Sequence, residues 1–382
     1  MTHSERIIYK NRSWSILANS FKQNRKSGTY LFFGPKGIGR WQTAVLYTAL
    51  LNCESPRTDD TDRQYPQPCG ECRNCKNILN LNFEGLKIAL PIPPHENKME
   101  KAIELTSEYI DEKRQEPFKI LSSSRSVNIP ITFAREIKKS LSLKAGTDIT
   151  RVVIFYQMEE MKFAAADALL KMIEEPPADT VIILICDNPE SLLSTIQSRS
   201  QNIKIDSNSI DDICTYLIEN YGLTEIKASL LSKISEGSIG RALELIEVQD
   251  DTKKARRSEM FLIFKSLFNE SGGETLSHMN DLLNFRDRSE TMGLLRLWQL
   301  LIKDCSRYAV TQSEDEIINI DFKTDIIALS QNFPTADIST DMISTIKNTL
   351  ADLDRNVHIQ GALMALALKL KKNIKTEKDI AG

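Results

Sequence analysis

The chain has 382 residues, of which 41% are hydrophobic and 26% are charged, and its formal net charge is -3 at pH 7. This composition is typical of a globular protein of two or three domains, and the charge argues against a protein that coats nucleic acid non-specifically. The chain has no apolar run near the roughly 18 residues that span a bilayer and no apolar signal-peptide core at its N-terminus. We therefore expect a cytosolic protein without membrane contact, whose seven cysteines are thiols or metal ligands rather than disulfides.

The first half of the chain alternates short β-like runs with helical patterns. Four runs are rich in β-branched and aromatic side chains without polar alternation, as in strands covered on both faces. They are residues 29–33, 86–90, 151–156 and 180–186. Apolar residues recur every three or four positions in residues 41–52, 131–144 and 161–175. Residues 1–206 are therefore predicted to form an α/β core with a parallel sheet.

Three further regions follow from composition and periodicity. Residues 91–125 begin with prolines and have a charged middle, and we interpret them as an insertion that is partly helical. Residues 207–250 are predicted to be a small helical unit, and residues 251–382 an all-helical domain with broad apolar faces. The basic run at 253–257 is interpreted as a solvated face.

The stretch "GPKGIGRW" follows the first predicted strand and resembles a phosphate-binding loop. Gly34 and Gly39 have the spacing of the G-x-x-x-x-G-K-[ST] pattern, and Gly37 lies between them. Arg40 stands where the pattern has its lysine, and Trp41 stands where it has the hydroxyl that holds Mg²⁺. The loop is therefore interpreted as a degenerate one.

The second half of a nucleotide site is also altered. A P-loop enzyme carries an acidic pair after a later strand, but here Tyr156 and Gln157 end the run "VVIFYQ". Glu159 and Glu160 fall three or four residues beyond the strand and are a weak replacement. We predict that this chain does not hydrolyse ATP and does not bind it as an enzyme would, while weak anion binding by the loop backbone stays open.

Four cysteines form a metal-ligand pattern. They are Cys53, Cys69, Cys72 and Cys75, within a module of about residues 53–76. A C-x-x-C-x-x-C run with one further cysteine suits tetrahedral Zn²⁺, and four protein ligands make such a site closed and structural. Four unrelated cysteines and a redox C-x-x-C pair are the alternatives, but a redox pair would not need the other two thiols.

Several segments together resemble one family. They are "TYLFFGPKGIGR", "ADALLKMIEEPPADTVIILICDNPESLLSTIQSRSQNIKI", "EGSIGRALEL" and "LDRNVHIQGALMALALKL". These segments are similar to the AAA+ clamp-loader subunits of the bacterial DNA polymerase III holoenzyme, and among them to the delta-prime type. The resemblance covers about residues 10–245 well and the C-terminal domain through its last segment, and residues 91–125 lie outside it.

The resemblance implies an architecture and a set of partners. The expected layout is an AAA+ core, a helical lid and a helical collar that joins five subunits in an open ring. The expected partners are the gamma/tau ATPase subunits and the delta subunit, with the sliding clamp and primed DNA contacted through the complex. Delta-prime subunits usually do not hydrolyse ATP, which agrees with the altered loop.

The resemblance also assigns residue roles. Ser198, Arg199 and Ser200 match the family's "SRC" motif, which implies that Arg199 is an arginine finger for ATP bound by a neighbouring subunit. Taken alone, Arg199 would be a surface or ion-pair residue. Gly240 occupies the place of the arginine that senses nucleotide in the ATPase subunits, and Arg241 is one position late.

The expected function is therefore that of a non-catalytic clamp-loader subunit in DNA replication. An active clamp-loader ATPase with a divergent P-loop is the alternative. A zinc-dependent nucleic-acid-binding module is a third, disfavoured by the net charge of -3 and by the lack of interleaved basic and aromatic residues.

Overall fold

The protein was analysed as a computed structural model, which describes residues 3–57, 65–92, 99–121, 127–142, 149–247, 254–268, 282, 285–333, 336–354 and 357–381. The described residues fall into two compact units. The first contains the residues up to Leu223 together with Ser232–Ala242, and the second contains Thr224–Leu231 and the residues from Leu243 onward. Among the helices described, none has the length and apolarity needed to cross a membrane.

The first unit is built on a five-stranded parallel sheet with the order β2-β3-β4-β1-β5. The strands are β1 (Gly28–Phe33), β2 (Leu86–Ala89), β3 (Arg151–Tyr156), β4 (Thr180–Cys186) and β5 (Gln201–Lys204). Every residue of β4 is buried, because helices cover both faces of the sheet centre. β5 is a polar edge strand whose only buried side chain is Ile203. The prediction of a parallel α/β core is confirmed.

Helices surround this sheet. They are α1 (His3–Lys10), α2 (Arg12–Lys22), α3 (Arg40–Leu51), α4 (Arg73–Leu79), α5 (Met99–Gln115), α6 (Ile131–Ser142), α7 (Phe163–Glu174), α8 (Ser194–Ser198) and α9 (Ile210–Tyr221). Two more, α10 (Glu225–Ile234) and α11 (Ile239–Glu247), contribute residues to both units. The three helices predicted from periodicity in the core appear as α3, α6 and α7, with ends within two residues of the expected ones.

The insertion contains a long helix, as predicted. Helix α5 covers Met99–Gln115, and residues 116–121 continue from it, whereas residues 93–98 and 122–126 lie outside the described part. Ile92, at the start of the insertion, and Asn128, just after its end, form an antiparallel bridge, in which each backbone N–H donates to the carbonyl of the other at 2.8 Å. The insertion therefore leaves and rejoins the core at one point.

Among the described residues of the second unit from 254 onward, every regular element is a helix, as expected for the predicted all-helical domain. Its helices are α12 (Lys254–Ser266), α13 (Arg288–Thr311), α14 (Lys323–Leu329), α15 (Ala336–Asp354) and α16 (Ile359–Ala381). Helix α13 lies at the centre and contacts α12, α14 and α15. Trp298 of α13 is fully buried, and its indole N–H donates to the carbonyl of Met260 at 3.1 Å.

The interpretation of residues 253–257 as a solvated face is wrong for Arg257, and residue 253 lies outside the described residues. Arg257 is only 8% exposed, pairs with Asp321 at 2.8 Å and lies over the ring of Phe322. Arg256 pairs with Glu290 at 2.6 Å. A long aliphatic stem and a planar guanidinium let arginine join a core edge when carboxylates and aromatic rings stand opposite, which a local charge run does not reveal.

Candidate functional site

The glycine loop joins the carboxyl end of β1 to the N-terminus of α3, as the motif predicts. Gly39 is the N-cap of α3 and has a φ of 109°, a left-handed conformation that favours glycine. In a phosphate-binding loop, the exposed N–H groups at such a helix start point at the phosphates. The loop therefore has the backbone of a nucleotide site, and the side chains around it decide whether the site is usable.

Arg40 does not face a phosphate position. Its side chain is 4% exposed, and Nη2 lies 2.6 Å from Oδ1 of Asp187, directly after β4. Its Nη1 donates to the backbone carbonyl of Cys186. Lys36, from the loop itself, also reaches Asp187 with an Nζ–Oδ2 distance of 3.4 Å. The positive charges of the loop are therefore directed to the end of β4.

Two aromatic residues at positions where a P-loop enzyme has magnesium ligands pack on each other. The rings of Trp41 and Tyr156 meet edge to face, with centroids 5.7 Å apart. Nζ of Lys113, from α5, lies 4.9 Å from the centre of the Tyr156 ring. Burial lowers the pKa of Lys113 to about 7, and the nearby charge of Arg40 acts in the same direction. Aromatic rings and a buried amine therefore line this side of the loop.

Glu159, a weak candidate from its sequence position, lies at the end of β4 beside Asp187. Its Oε1 accepts a hydrogen bond from the backbone N–H of Asp187 at 3.1 Å, while Oε2 is buried and has no hydrogen-bond partner among the described residues. Burial raises the pKa of Glu159 to about 7, with the charge of Asp187 adding to it. Asp187 was not predicted as a site residue, although its position directly after a buried strand is a sequence signal for such a role.

The far side of the loop is covered by the segment that precedes and begins α11. The carbonyl of Gly37 accepts from the N–H of Gly240 at 2.9 Å, and the carbonyl of Lys36 accepts from the hydroxyl of Ser238 at 2.6 Å. A Cβ at Gly240 would lie 2.7 Å from Cα of Gly37, so an arginine at this position would clash with the loop. Arg241 forms an ion pair with Glu236 at 2.8 Å.

The four cysteines predicted as metal ligands lie together. The Sγ atoms of Cys53, Cys69, Cys72 and Cys75 are all within 4.8 Å of one another. The Sγ atoms of Cys69 and Cys75 are 3.9 Å apart, close to the edge of roughly 3.8 Å in a tetrahedron with Zn–S bonds near 2.3 Å. This spacing fits a tetrahedral soft metal ion.

The local electrostatics favour the thiolate form of Cys69. Sγ of Cys69 accepts backbone hydrogen bonds from Cys72 at 3.2 Å and from Glu71 at 3.4 Å. Burial raises the pKa of Cys69, but these hydrogen bonds and its cysteine neighbours outweigh burial and lower it to about 7. Burial raises the pKa of Cys53 and Cys75, so a cation would be needed to hold all four as thiolates.

Arg199 lies apart from both groups. It ends α8, and its Nε donates to Oε2 of Glu174 at 2.8 Å. Gln201 of β5 pairs with Tyr30 of β1 in parallel register, so Arg199, two residues earlier, is level with the start of β1. The glycine loop begins after the opposite end of that strand. Because a strand rises about 3.3 Å per residue, the backbone of Arg199 is roughly 20 Å from the loop along the sheet. The side chain is about one-third exposed and does not serve the loop of its own chain.

Comparison with known proteins identifies relatives of this chain. The family described as "DNA polymerase III, delta subunit" matches residues 9–209. The chain is 25% identical to the DNA polymerase III subunit delta′ of Bacillus subtilis, over 94% of this chain and 96% of that protein. It is 23% identical to the tau subunit of the same organism, over 73% of this chain and 46% of that protein.

A solved structure is also similar. It is a DNA polymerase III gamma-subunit-related protein of Thermotoga maritima, with a TM-score of 0.43 and 14% identity, over 94% of this chain and 99% of the other. The family match from residue 9 to residue 209 covers more than half of the sequence. The chain belongs to the DNA polymerase III delta-subunit family of clamp-loader proteins.

Proposed function

We propose that this chain is a non-catalytic, delta-prime-type subunit of the DNA polymerase III clamp loader, which supplies Arg199 to ATP held by a neighbouring subunit. Its partners are the gamma/tau ATPase subunits and the delta subunit in a five-membered ring, in the cytoplasm. Through that ring it takes part in loading the sliding clamp on primed DNA. The full-length similarity to a delta′ subunit supports this assignment.

The placement of Arg199 carries the proposal. The guanidinium of Arg199 is partly exposed and pairs with Glu174 at the end of the strands opposite the loop. It is therefore available to another subunit but not to the loop of its own chain. An arginine finger supplied in trans stabilises the charge of the transition state and raises turnover by roughly 10³ to 10⁵ in nucleotide hydrolases. A chain whose own loop is closed can therefore still be required for hydrolysis.

The role of the four cysteines is structural in this proposal. Cys53, Cys69, Cys72 and Cys75 would hold Zn²⁺ as a closed set of four thiolates with no open position. When bound, the ion would supply cross-linking of the end of α3 to α4 and no Lewis-acid chemistry. Apparent binding energies of such sites are on the order of 10 kcal/mol, which suffices to order a module with little core.

The test is reconstitution of the loader with Arg199→Ala. We expect assembly to be unchanged and the DNA-stimulated ATPase to fall sharply. Arg25→Ala, at an exposed arginine in the same unit, is the matched control and should leave the ATPase within about twofold of the parent. A normal ATPase in the Arg199→Ala loader would contradict the arginine-finger role.

One observation favours the alternative of an active ATPase with a divergent loop. Glu159 lies beside the loop with its pKa raised to about 7, which is a suitable value for a general base. Hydrolysis by the isolated chain that disappears in Glu159→Gln would support this alternative. We expect no hydrolysis by either protein, because Arg40 and Trp41 are both engaged elsewhere.

A further inference from the structure

The insertion does not project away from the core but returns to the glycine loop. Phe118, just after α5, is 1% exposed, and its ring carbon Cε1 lies 2.9 Å from the position that a Cβ on Gly39 would take. The same ring meets Tyr216 of α9 edge to face, with centroids 5.3 Å apart. Phe118 therefore packs between the start of α3 and α9.

Two polar contacts hold this segment in place. The ammonium group of Lys113 donates to the carbonyl of Lys119, so the end of α5 is tied to the residues that follow it. The carboxylate of Glu116 accepts from the hydroxyl of Tyr221 at 2.7 Å, which ties the segment to α9. Burying a lysine costs free energy, and Lys113 is only 3% exposed. Its burial indicates that this segment packs as part of the core.

Gly240 packs as closely against the segment around Phe118 as it does against the glycine loop. A Cβ at this position would lie 2.4 Å from the carbonyl oxygen of Phe118 as well as 2.7 Å from Cα of Gly37. The loop, the insertion and the first turn of α11 therefore meet at a point where only a hydrogen atom fits. A working phosphate site needs open space in front of the loop, whereas here Gly240 and Phe118 lie directly against Gly37 and Gly39.

We propose that residues 113–121 of the insertion are a built-in occupant of the former nucleotide site, which keeps the loop closed and ties it to α9 and to the start of α11 without any nucleotide. The segment supplies the aromatic ring of Phe118, the amine of Lys113 and the backbone carbonyl beside Gly240. This role depends only on contacts within the first unit. It does not require that Arg199 act on a neighbour, so failure of one proposal leaves the other standing.

The bridge between Ile92 and Asn128 allows a clean excision. Because these residues exchange two backbone hydrogen bonds, residues 93–127 can be replaced by the two-residue turn Asn-Gly. Hydrogen exchange is then followed by mass spectrometry in peptides that cover residues 34–42, α9 and Gly240. We expect exchange in these peptides to become at least tenfold faster, while peptides of β4 keep their protection.

A point variant decides the question if the excised chain does not fold. Phe118→Ala in the full chain removes the ring but keeps α5, and we expect exchange at residues 34–42 and in α9 to rise at least threefold. Phe83→Ala truncates another buried phenylalanine of the same unit, packed beside Gly85, and is the matched control. It should leave exchange at the loop within twofold of the parent.

Nucleotide provides the second arm of the test. ADP added to the parent chain at millimolar concentration should leave exchange at residues 34–42 unchanged, because the segment already fills the site. Protection of these residues by ADP would overturn the proposal. It would equally be overturned if neither the excised chain nor Phe118→Ala exchanged faster at the loop and α9 than the Phe83→Ala control.

Discussion

The guanidinium of Arg40 and the carboxylate of Asp187 form an ion pair with an Nη2–Oδ1 distance of 2.6 Å. The pair links the first residue of α3 to the residue that follows β4, so it joins two elements that are 147 residues apart in the chain. The arginine that replaces the P-loop lysine therefore serves as an internal cross-link. This ion pair holds the start of α3 to the end of β4 without a bound phosphate.

Replacement of Arg40 by lysine should destabilise the chain and should not restore nucleotide binding. A lysine lacks the planar fork that contacts Asp187 and the carbonyl of Cys186 together. We expect the free energy of unfolding, measured with denaturant, to fall by about 1.5–3 kcal/mol. Lys36→Ala removes a more exposed partner of Asp187 and is the control, with an expected loss below about 1 kcal/mol. Equal losses would contradict the cross-link role.

The stability of the chain should depend on pH through Glu159. Burial raises the pKa of this carboxyl from 4.5 to about 7. The folded chain therefore binds more protons than the unfolded chain between those values, and its free energy of unfolding falls as the pH rises through this window. Glu159→Gln keeps the oxygen that accepts from Asp187 but cannot titrate. At pH 8 we expect it to be more stable than the parent by on the order of 1–3 kcal/mol.

Denaturant titrations from pH 4.5 to pH 8 measure this effect. The lowered pKa of Lys113 acts only above about pH 7, where it makes stability rise with pH, and it is present in both proteins. Glu190→Gln, at an exposed carboxylate, is the control and should reproduce the slope of the parent. If the curves of Glu159→Gln and the parent run parallel, Glu159 is not protonated in the folded state in this range.

The four-cysteine cluster should bind one zinc ion per chain. Cys69→Ser removes the thiol that accepts two backbone hydrogen bonds, and we expect metal content to fall well below one equivalent and the module to become sensitive to protease. Elemental analysis of the purified protein measures the metal. Cys214→Ser, at a cysteine outside the cluster, should keep the full content. An equal metal content in both variants would show that the cluster is not the metal site.

In the second unit, Asp304 should be the most sensitive polar residue to truncation. Its carboxylate is fully buried and accepts hydrogen bonds from the backbone N–H groups of Ile318 and Asn319 and from the side-chain amide of Asn319. Asp304→Ala leaves these buried donors without their acceptor, and we expect a loss of about 3–5 kcal/mol. Asp304→Asn keeps one carbonyl oxygen and should lose less. Thermal unfolding compares the two, and equal losses would argue against this hydrogen-bond network.

Much of the site was predictable because its signals are local. The spacing of Gly34 and Gly39, the replacements at Arg40 and Trp41, and the C-x-x-C-x-x-C run are each contained in a few neighbouring residues. Four of the five strands and three of the core helices were likewise predictable, because burial on both faces of a sheet or on one face of a helix imposes a short repeat. The strand β5 was missed, because only one of its four residues is buried. The sequence therefore identified which P-loop residues Arg40 and Trp41 stand in for, but it did not predict which residues these two side chains contact.

By itself, the sequence determined that Arg40 and Trp41 stand where the P-loop pattern has its lysine and its magnesium hydroxyl, and it predicted that four thiols bind one metal ion. Only the tertiary structure decided that Arg40 pairs with Asp187, that Glu159 reaches the same strand end, and that Phe118 fills the space beside Gly39. Each of these contacts joins segments that are distant in the chain. Their formation depends on how the sheet and the insertion pack, and a residue's immediate neighbours carry no record of that packing.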